Sequence, residues 1–122
     1  MHYKGFDGNK ITVTEKAKPT IGRDRPSLVS YKNRYIFLSG GANPQNWDQC
    51  YKSVDYYDIT SDSWSEAPSL RKARSNHSSC IHGDFIYVFC GQKKNGILTD
   101  SIERLDAQGV ITGNTLASWD TV

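Results

Sequence analysis

A stretch of fifteen residues recurs about fifty positions further along the chain. Residues 27–41 align with residues 77–91 without a gap, and each copy holds an apolar run, a short polar turn and a second apolar run. Aromatic and β-branched residues dominate the runs, which favours strands over helices, so each copy predicts a β-hairpin. A repeat of this length is typical of propellers and solenoids, in which one unit cannot bury its own apolar face and packs against the next.

A second kind of segment follows each hairpin. Residues 53–58 alternate between apolar and polar positions, as in a strand with one buried face, and residues 101–106 repeat the pattern forty-eight positions later. Asp58 and Asp106 end these segments, where an aspartate opens a turn by bonding its own backbone. We expect the carboxylates of this strand to be structural, capping turns or pairing with Arg104 and Lys52.

Composition describes one soluble globular domain, with 122 residues of which 37% are hydrophobic and 23% charged. The formal charge is +2 and the basic residues are dispersed, which argues against nucleic acid as a partner. We find neither an apolar run long enough for a membrane helix nor a secretory signal in the sequence. Three cysteines without CxxC spacing argue against a disulfide framework and suit a reducing compartment, so we predict a cytoplasmic protein.

No catalytic or metal-binding pattern stands out in the sequence. His77, Cys80 and His82 are candidate zinc ligands, but on a strand the side chain of residue 77 points away from those of residues 80 and 82. A nucleophile elbow, a cysteine-protease signature and a phosphate-binding loop are absent from the sequence. We therefore predict no catalytic residues, no metal and no cofactor.

The order of hairpin, diglycine, loop, strand ending in Tyr-Asp, Trp, Pro and Arg resembles the Kelch repeat, the four-stranded blade of a β-propeller. The marks in this sequence are Gly40, Gly41, Tyr57, Asp58, Trp64, Pro68 and Arg74. The second repeat keeps Gly91 and Asp106 but has Cys90 and Leu105 beside them. It lacks the tryptophan six residues after Asp106, and we expect Val110 and Ile111 to fill that place.

The resemblance implies an all-β fold made of Kelch-type β-propeller blades. Residues 1–25 resemble the outer half of a blade, residues 26–74 a complete blade and residues 75–122 a second blade with a degenerate end. About two and a half four-stranded antiparallel blades make an incomplete propeller, since about four to eight are needed to close a ring. An open arc is expected to expose the blade faces that carry Tyr35, Phe37, Phe85, Tyr87 and Phe89.

Three arrangements would cover those faces. The chain is a fragment of a longer propeller, a short chain that closes a ring as a homo-oligomer, or a subunit packed into a larger assembly. In the second case the half-blade at residues 1–25 pairs with the inner strands of another copy, a head-to-tail contact that closes if its rotation allows. The sequence leaves these alternatives open.

In Kelch propellers the ligand face is formed by the turn from an outermost strand into the next inner strand and by the loop after the diglycine. That resemblance selects as partner-binding residues Arg23, Arg25, Asn46, Trp47, Asp48, Arg74, Ser75, Asn76, Lys93, Lys94 and Asn95. Arginine can hold a carboxylate bidentately, which favours a protein or acidic peptide as partner. In the alternative, the arginines are solvated or bind backbone carbonyls between blades.

The resemblance favours a non-catalytic protein–protein interaction module or scaffold over two other functions. One is part of a Kelch-like sugar-processing enzyme, of the mutarotase or oxidase type, whose site lies at the propeller axis. The other is a purely structural subunit without a ligand of its own. Fold alone does not decide between them.

Overall fold

The computed structural model describes residues 2–7, 10–19 and 21–122, with side chains from residue 15 onward. The regular secondary structure of the described residues is almost entirely antiparallel β-strand, which confirms the predicted all-β class. The strands are β1 His2–Asp7, β2 Lys10–Glu15, β3 Ser27–Tyr31, β4 Tyr35–Ser39, β5 Ala42–Asn43, β6 Asn46–Cys50, β7 Val54–Asp58, β8 Ser63–Ala67, β9 Ser78–His82, β10 Phe85–Phe89, β11 Ile102–Asp106 and β12 Asp120–Thr121. The helical segments among the described residues are α1 Ala107–Ile111 and a 3-10 turn at Lys94–Gly96.

Two four-stranded antiparallel sheets dominate the structure. The strand order is β3-β4-β7-β8 in the first sheet, here called blade 1, and β9-β10-β11-β12 in the second, blade 2. Each sheet is a meander in chain order, as predicted for Kelch-type blades. In the β1–β2 and β3–β4 hairpins, every residue of each strand is paired with a residue of its neighbour.

The β1–β2 hairpin precedes blade 1, and its register runs from the His2–Glu15 pair to the Asp7–Lys10 pair. The main-chain NH of Ala17, just after this hairpin, donates to Asp62 Oδ1 at 2.9 Å. This bond links the segment after β2 to the turn between β7 and β8 of blade 1. The division of the chain after residues 25 and 74 stays a prediction.

The two inner hairpins differ by one residue in the turn. Tyr31 pairs with Tyr35 across three turn residues, whereas His82 pairs with Phe85 across two. In the longer turn Lys32 and Asn33 both have positive φ, and in the shorter turn Gly83 does. The gapless alignment of the two copies is therefore out by one position in β9, because the turn of the second copy is one residue shorter.

One apolar cluster joins the two blades. Phe37 of blade 1 lies in this cluster with Ile86, Val88 and Leu105 of blade 2, and Phe37 is only 1% exposed. The expectation that Phe37 lies on a bare face is therefore wrong, because blade 2 covers that face of β4. The prediction that an aromatic face is left uncovered applies instead to one sheet face of blade 2.

That face of blade 2 carries Phe85, Tyr87 and Phe89, which alternate along β10 with the buried Ile86 and Val88. Their side chains are half-buried, and the rings of Tyr87 and Phe89 stack at 6.3 Å. Alternation along a strand sends them to the side opposite blade 1. A half-buried aromatic stripe thus remains on the last sheet of the described chain.

Blade 2 ends differently from the prediction. Val110 and Ile111 lie on α1, which begins after Asp106 because the Asp106 carboxylate accepts from the NH of Gly109 at 3.0 Å. The missing tryptophan is Trp119, whose buried indole donates to Pro68 O at 2.8 Å. Trp64 makes the equivalent bond to Ala17 O at 3.0 Å. The expectation that Val110 and Ile111 replace it is wrong, because α1 is inserted ahead of Trp119.

Candidate functional site

Arg74 forms a buried contact between the segment after β8 and blade 2. Its Nη1 donates to Cys90 O at 3.1 Å and to Ser101 O at 2.8 Å, and its Nη2 reaches Glu103 Oε2 at 2.7 Å. Its own main-chain oxygen accepts from the NH of Gly41 at 2.8 Å, in the diglycine that follows β4 of blade 1. One residue therefore bonds both blades, and we call the set of bonds from its guanidinium to two main-chain oxygens and a carboxylate an arginine clamp.

Arg23 makes the same clamp onto blade 1. Its Nη1 donates to Gly40 O at 2.8 Å and Ser53 O at 2.9 Å, and its Nη2 reaches Asp55 Oδ2 at 2.9 Å. Burial raises the pKa of the Asp55 carboxyl above its usual range, and the Arg23 guanidinium opposes that rise. The two clamps lie at equivalent positions, because the arginine donor and its acceptors both recur from one repeat to the next.

The side chains of Arg23 and Arg74 are buried, and Ser75 is buried as well. A partner cannot reach them, which corrects the expectation that these three residues bind a partner directly. The alternative, that such arginines bind backbone carbonyls between blades, describes Arg23 and Arg74. The predicted carboxylate pairs also differ, since Arg34 pairs with Asp58 at 3.0 Å and the clamps use Asp55 and Glu103.

The residue after each clamped carbonyl is a glycine in the left-handed region. Gly41 has φ +101° and Gly91 has φ +93°. A Cβ on Gly91 would lie 2.7 Å from both Ser75 O and the Cβ of His77. Cys90 adopts the same left-handed conformation as Gly40, with φ +56°, so its side chain changes the motif without changing the backbone path.

His77 is buried between the blades rather than available as a ligand. Its Nε2 lies 3.0 Å from the Ser39 hydroxyl, and burial, with a smaller effect of Arg74, lowers its pKa to about 4. Cys80 and His82 are exposed and lie on β9, which begins after His77. Among residues 15–19 and 21–122, the side chains form no group of three that could hold a metal ion.

Turns and loops of successive repeats are bonded together on one side of the sheets. Asp24 and Ala42 exchange main-chain hydrogen bonds of 2.9 and 2.7 Å, and Ser75 and Gln92 exchange bonds of 2.9 and 2.8 Å. The loop after the first diglycine forms the β5–β6 hairpin, and β6 packs against the 3-10 turn. We call the surface made by residues 24–25, 42–50, 75–76 and 92–100 the loop face.

Trp47 stands at the centre of the contacts on the loop face. It is 57% exposed, yet its Nε1 donates to Asp24 Oδ2 at 2.8 Å. The Arg25 guanidinium carbon lies 4.5 Å from the centroid of a Trp47 ring, and its Nη1 is 3.4 Å from Gln92 Oε1. The indole is thus held by a hydrogen bond at its edge and a cation over its face.

The remaining eight predicted residues all lie on the loop face. Arg25 and Lys93 are half-buried there, and the exposed members are Asn46, Trp47, Asp48, Asn76, Lys94 and Asn95. A cleft of about 530 Å³ is lined by Asn46, Asp48, Lys94 and Asn95, among others. Asn76 lines a separate cleft of about 670 Å³.

Sequence reasoning missed four residues of this surface. Asp24 and Gln92 bond Trp47 and Arg25, and Ile97 and Leu98 are exposed beyond the 3-10 turn. An adjacent pair of large aliphatic residues inside a polar loop was the available signal for Ile97 and Leu98. The role of Asp24 and Gln92 depends on contacts between repeats, which no local pattern reveals.

Comparison with known proteins identifies a Kelch motif at residues 26–71. Alpha-scruin of Limulus polyphemus is 30% identical over 82 residues, and beta-scruin of the same organism is 31% identical over 79 residues. These alignments cover 64% and 62% of this chain and 9% of each relative, so the chain spans about a tenth of their length. The predicted resemblance to Kelch repeats is confirmed.

The motif and these relatives support a protein-interaction module. In the part of the chain that the structure describes, no helix is long and apolar enough to cross a bilayer.

Proposed function

We propose that this chain is a non-catalytic interaction module of a Kelch-type β-propeller, which presents its loop face to a protein partner. The observation that carries the proposal is the direct bonding of turns and loops, at Asp24–Ala42 and Ser75–Gln92, into one surface. Loops held on a rigid scaffold are where recognition concentrates. The arginine clamps support the same proposal because they fix the strands from which these loops emerge.

The residues proposed to contact the partner are those with side chains on the loop face. They are Arg25, Asn46, Trp47, Asp48, Asn76, Lys93, Lys94 and Asn95. Arg23 and Arg74 act indirectly in this proposal, by holding the scaffold beneath. The expectation of an acidic peptide as partner depended on three arginines. Arg23 and Arg74 are buried, and Arg25 is already stacked on Trp47.

A second part of the proposal concerns the bare face of blade 2. We propose that a further blade covers Phe85, Tyr87 and Phe89, supplied by a longer chain or by another copy. The half-buried aromatic stripe on β10 supports this, since a Kelch blade packs such a stripe against its neighbour. A cytoplasmic location fits the three cysteines, all of which are free thiols.

Burial of the charged cluster between the blades supports a non-catalytic role. Glu103, Arg74 and His77 lie near one another, and a sugar mutarotase would need such groups to converge at an open axis. All three are buried, so a substrate cannot reach them from solvent. The clamp explains their placement without a reaction.

Site-specific photo-crosslinking tests the module. A photoreactive amino acid replaces Asn95 on the loop face or, as a control, Leu116, which is 87% exposed in the segment after α1. We expect protein adducts in cells from position 95 and few from position 116. Equal labelling at both positions, or none at either, would contradict the proposal.

The molecular mass in solution tests ring completion separately. Light scattering on the 122-residue chain should give a discrete oligomer if copies complete the ring, and Tyr87→Lys should dissociate it. A soluble chain that stays monomeric and well folded would contradict closure by self-association and leave the longer chain as the source of the next blade.

A further inference from the structure

The bare face of blade 2 differs from the covered face of blade 1 at the end next to the loop face. Ser39 is the last residue of β4, and Phe89 is the last residue of β10. Each of them pairs with the first residue of the preceding strand, so the two positions are equivalent. Blade 2 therefore carries an aromatic ring where blade 1 carries a small hydroxyl.

In the junction between the two blades, this end of blade 1 receives His77. Its Nε2 lies 3.0 Å from the Ser39 hydroxyl. A Cβ on Gly40 would lie 2.8 Å from His77 Cε1 and would collide with Arg74 O. The imidazole and the Arg74 carbonyl therefore use the space that a serine and a glycine leave free.

Blade 2 does not leave that space at its bare face. Cys90 stands in place of Gly40 with nearly the same backbone angle, φ +56° against +61°, so its Cβ takes the position that the first junction forbids. Phe89 adds a ring beside it and offers no hydroxyl. A neighbour with histidine at the place of His77 would meet both side chains and bury an imidazole without its hydrogen-bond partner, which is costly.

The larger cleft of the loop face lies where a following repeat would set its first turn. In the junction between blades 1 and 2, the main chain of residues 74–76 bonds the main chain of Gly41 and of Arg25, each at 2.8 Å. Their counterparts in the next repeat are Gly91 and Asn76, and both line the cleft of about 670 Å³. The cleft is thus a seat for the turn of a further repeat.

Blade 1 shows which residue suits the place beside Phe89. Pro26 directly precedes β3 as His77 directly precedes β9. The residues before them, Arg25 and Asn76, have φ of +51° and +54°, so both residue types follow the same backbone conformation. Proline is smaller than histidine and has no polar side-chain atom that needs a partner. With the imidazole absent, the incoming turn has room to shift away from the Cys90 side chain.

A second copy of this chain does not offer a free blade of this kind. Trp64 of blade 1 donates to Ala17 O at 3.0 Å, as Trp119 of blade 2 donates to Pro68 O at 2.8 Å. The chain ahead of each blade is therefore already seated against it. A free neighbour has to come as a further repeat joined in tandem.

We propose that the bare face of blade 2 selects as its neighbour a tandem repeat with proline or another small apolar residue at the place of His77, and disfavours one with histidine there. Phe89 and Cys90 are the residues that select. This inference rests on the proposed further blade and states which kind of repeat fits. The arginine clamp does not discriminate, because each arginine bonds acceptors in the blade that it precedes.

The junction between blades 1 and 2 tests this rule in the 122-residue chain. Ser39→Phe gives blade 1 the ring of blade 2 and should lower the urea midpoint by about 0.5 M or more. His77→Pro should lower the midpoint in the parent chain, because it leaves the Ser39 hydroxyl unpaired, and should raise it in the Ser39→Phe variant. Ser30→Phe, at an exposed position of β3, is the control in which His77→Pro should act as in the parent chain.

A chain extended by one blade supplies the neighbour itself. Residues 17–67 are joined after Val122, which continues the repeat because Val122 and Ala67 each lie three residues after the equivalent tryptophan. Cys80 reports whether the bare face is covered, since it is exposed and lies directly opposite Tyr87 in the sheet.

The added blade carries Pro26, and a matched extension carries Pro26→His. We expect the first to slow labelling of the Cys80 thiol by about tenfold or more, and the second to leave labelling close to that of the 122-residue chain. Phe89→Ser combined with Cys90→Gly in blade 2 should let the histidine extension protect Cys80 as well.

Two results would overturn the selectivity. One is a change in midpoint from His77→Pro that is the same in the parent chain and in the Ser39→Phe variant, and the other is equal protection of Cys80 by both extensions. Protection by neither extension would overturn the further blade together with this inference. The photo-crosslinking test of the loop face is independent of these results, so failure here is distinguishable from failure of the interaction module.

Discussion

Replacing Glu103 by alanine should destabilise the fold more than replacing an exposed carboxylate does. The Glu103 carboxylate is buried and accepts from Arg74 Nη2 at 2.7 Å, from the NH of Arg71 at 2.6 Å and from the NH of Lys72 at 3.2 Å. Glu103→Ala leaves the buried Arg74 guanidinium without its counter-charge. Removing one partner of such a pair costs about 3–5 kcal/mol, a large share of the ~5–15 kcal/mol that stabilises a domain.

Urea unfolding of the 122-residue chain, followed by circular dichroism, measures this loss. With an m value of about 2 kcal/mol per molar urea, the midpoint should fall by about 2 M while m stays unchanged. Glu66→Ala, an exposed carboxylate on β8, is the matched control and should change stability by less than ~0.5 kcal/mol. The double variant Arg74→Met with Glu103→Leu should recover part of the loss, because it buries no unpaired charge.

A loss below about 1 kcal/mol for Glu103→Ala, or one no larger than that of Glu66→Ala, would refute the clamp as a buried, charge-paired junction. A double variant less stable than either single variant would refute the reasoning about the unpaired guanidinium.

Two further predictions concern the junction between the blades. Gly91→Ala should destabilise more than Gly113→Ala in thermal unfolding, since both glycines have positive φ but only at position 91 would the new Cβ strike Ser75 O; equal losses would contradict the close approach. Because the pKa of buried His77 is lowered to about 4, the unfolded chain takes up a proton that the folded chain resists. Stability is therefore full above about pH 6.5 and should decline by up to ~3 kcal/mol as pH falls to 4. Urea unfolding at several pH values should show this decline in His82→Asn, whose site is exposed, and not in His77→Asn. If the free energy of unfolding falls equally with pH in both variants, His77 is not its source.

The strands and their order were predictable because the signal is local and repeated. Alternation in residues 53–58 and 101–106 marks β7 and β11, and the glycine turn marks the β9–β10 hairpin. The one-residue error in aligning β9 arose because Lys32 and Asn33 both take positive φ without being glycine, so the longer turn leaves no compositional trace.

What failed from the sequence depends on contacts between repeats. Trp119 was not predicted as the counterpart of Trp64 in the second repeat, because α1 is inserted before Trp119 and changes the spacing. Arg74 was assigned to the surface because its loop position is typical of binding residues, whereas its acceptors at Ser101 and Glu103 lie in the next repeat. No pattern within one repeat shows where a side chain crosses to the following one.

The arginine clamp has a consequence for how such a chain can lengthen. Each arginine belongs to one repeat, and its carbonyl and carboxylate acceptors belong to the next. Copying any stretch one period long in tandem therefore recreates a whole clamp at the new seam, wherever the genetic breakpoint falls. A gene built this way can add blades by duplication without having to evolve a new clamp for each blade.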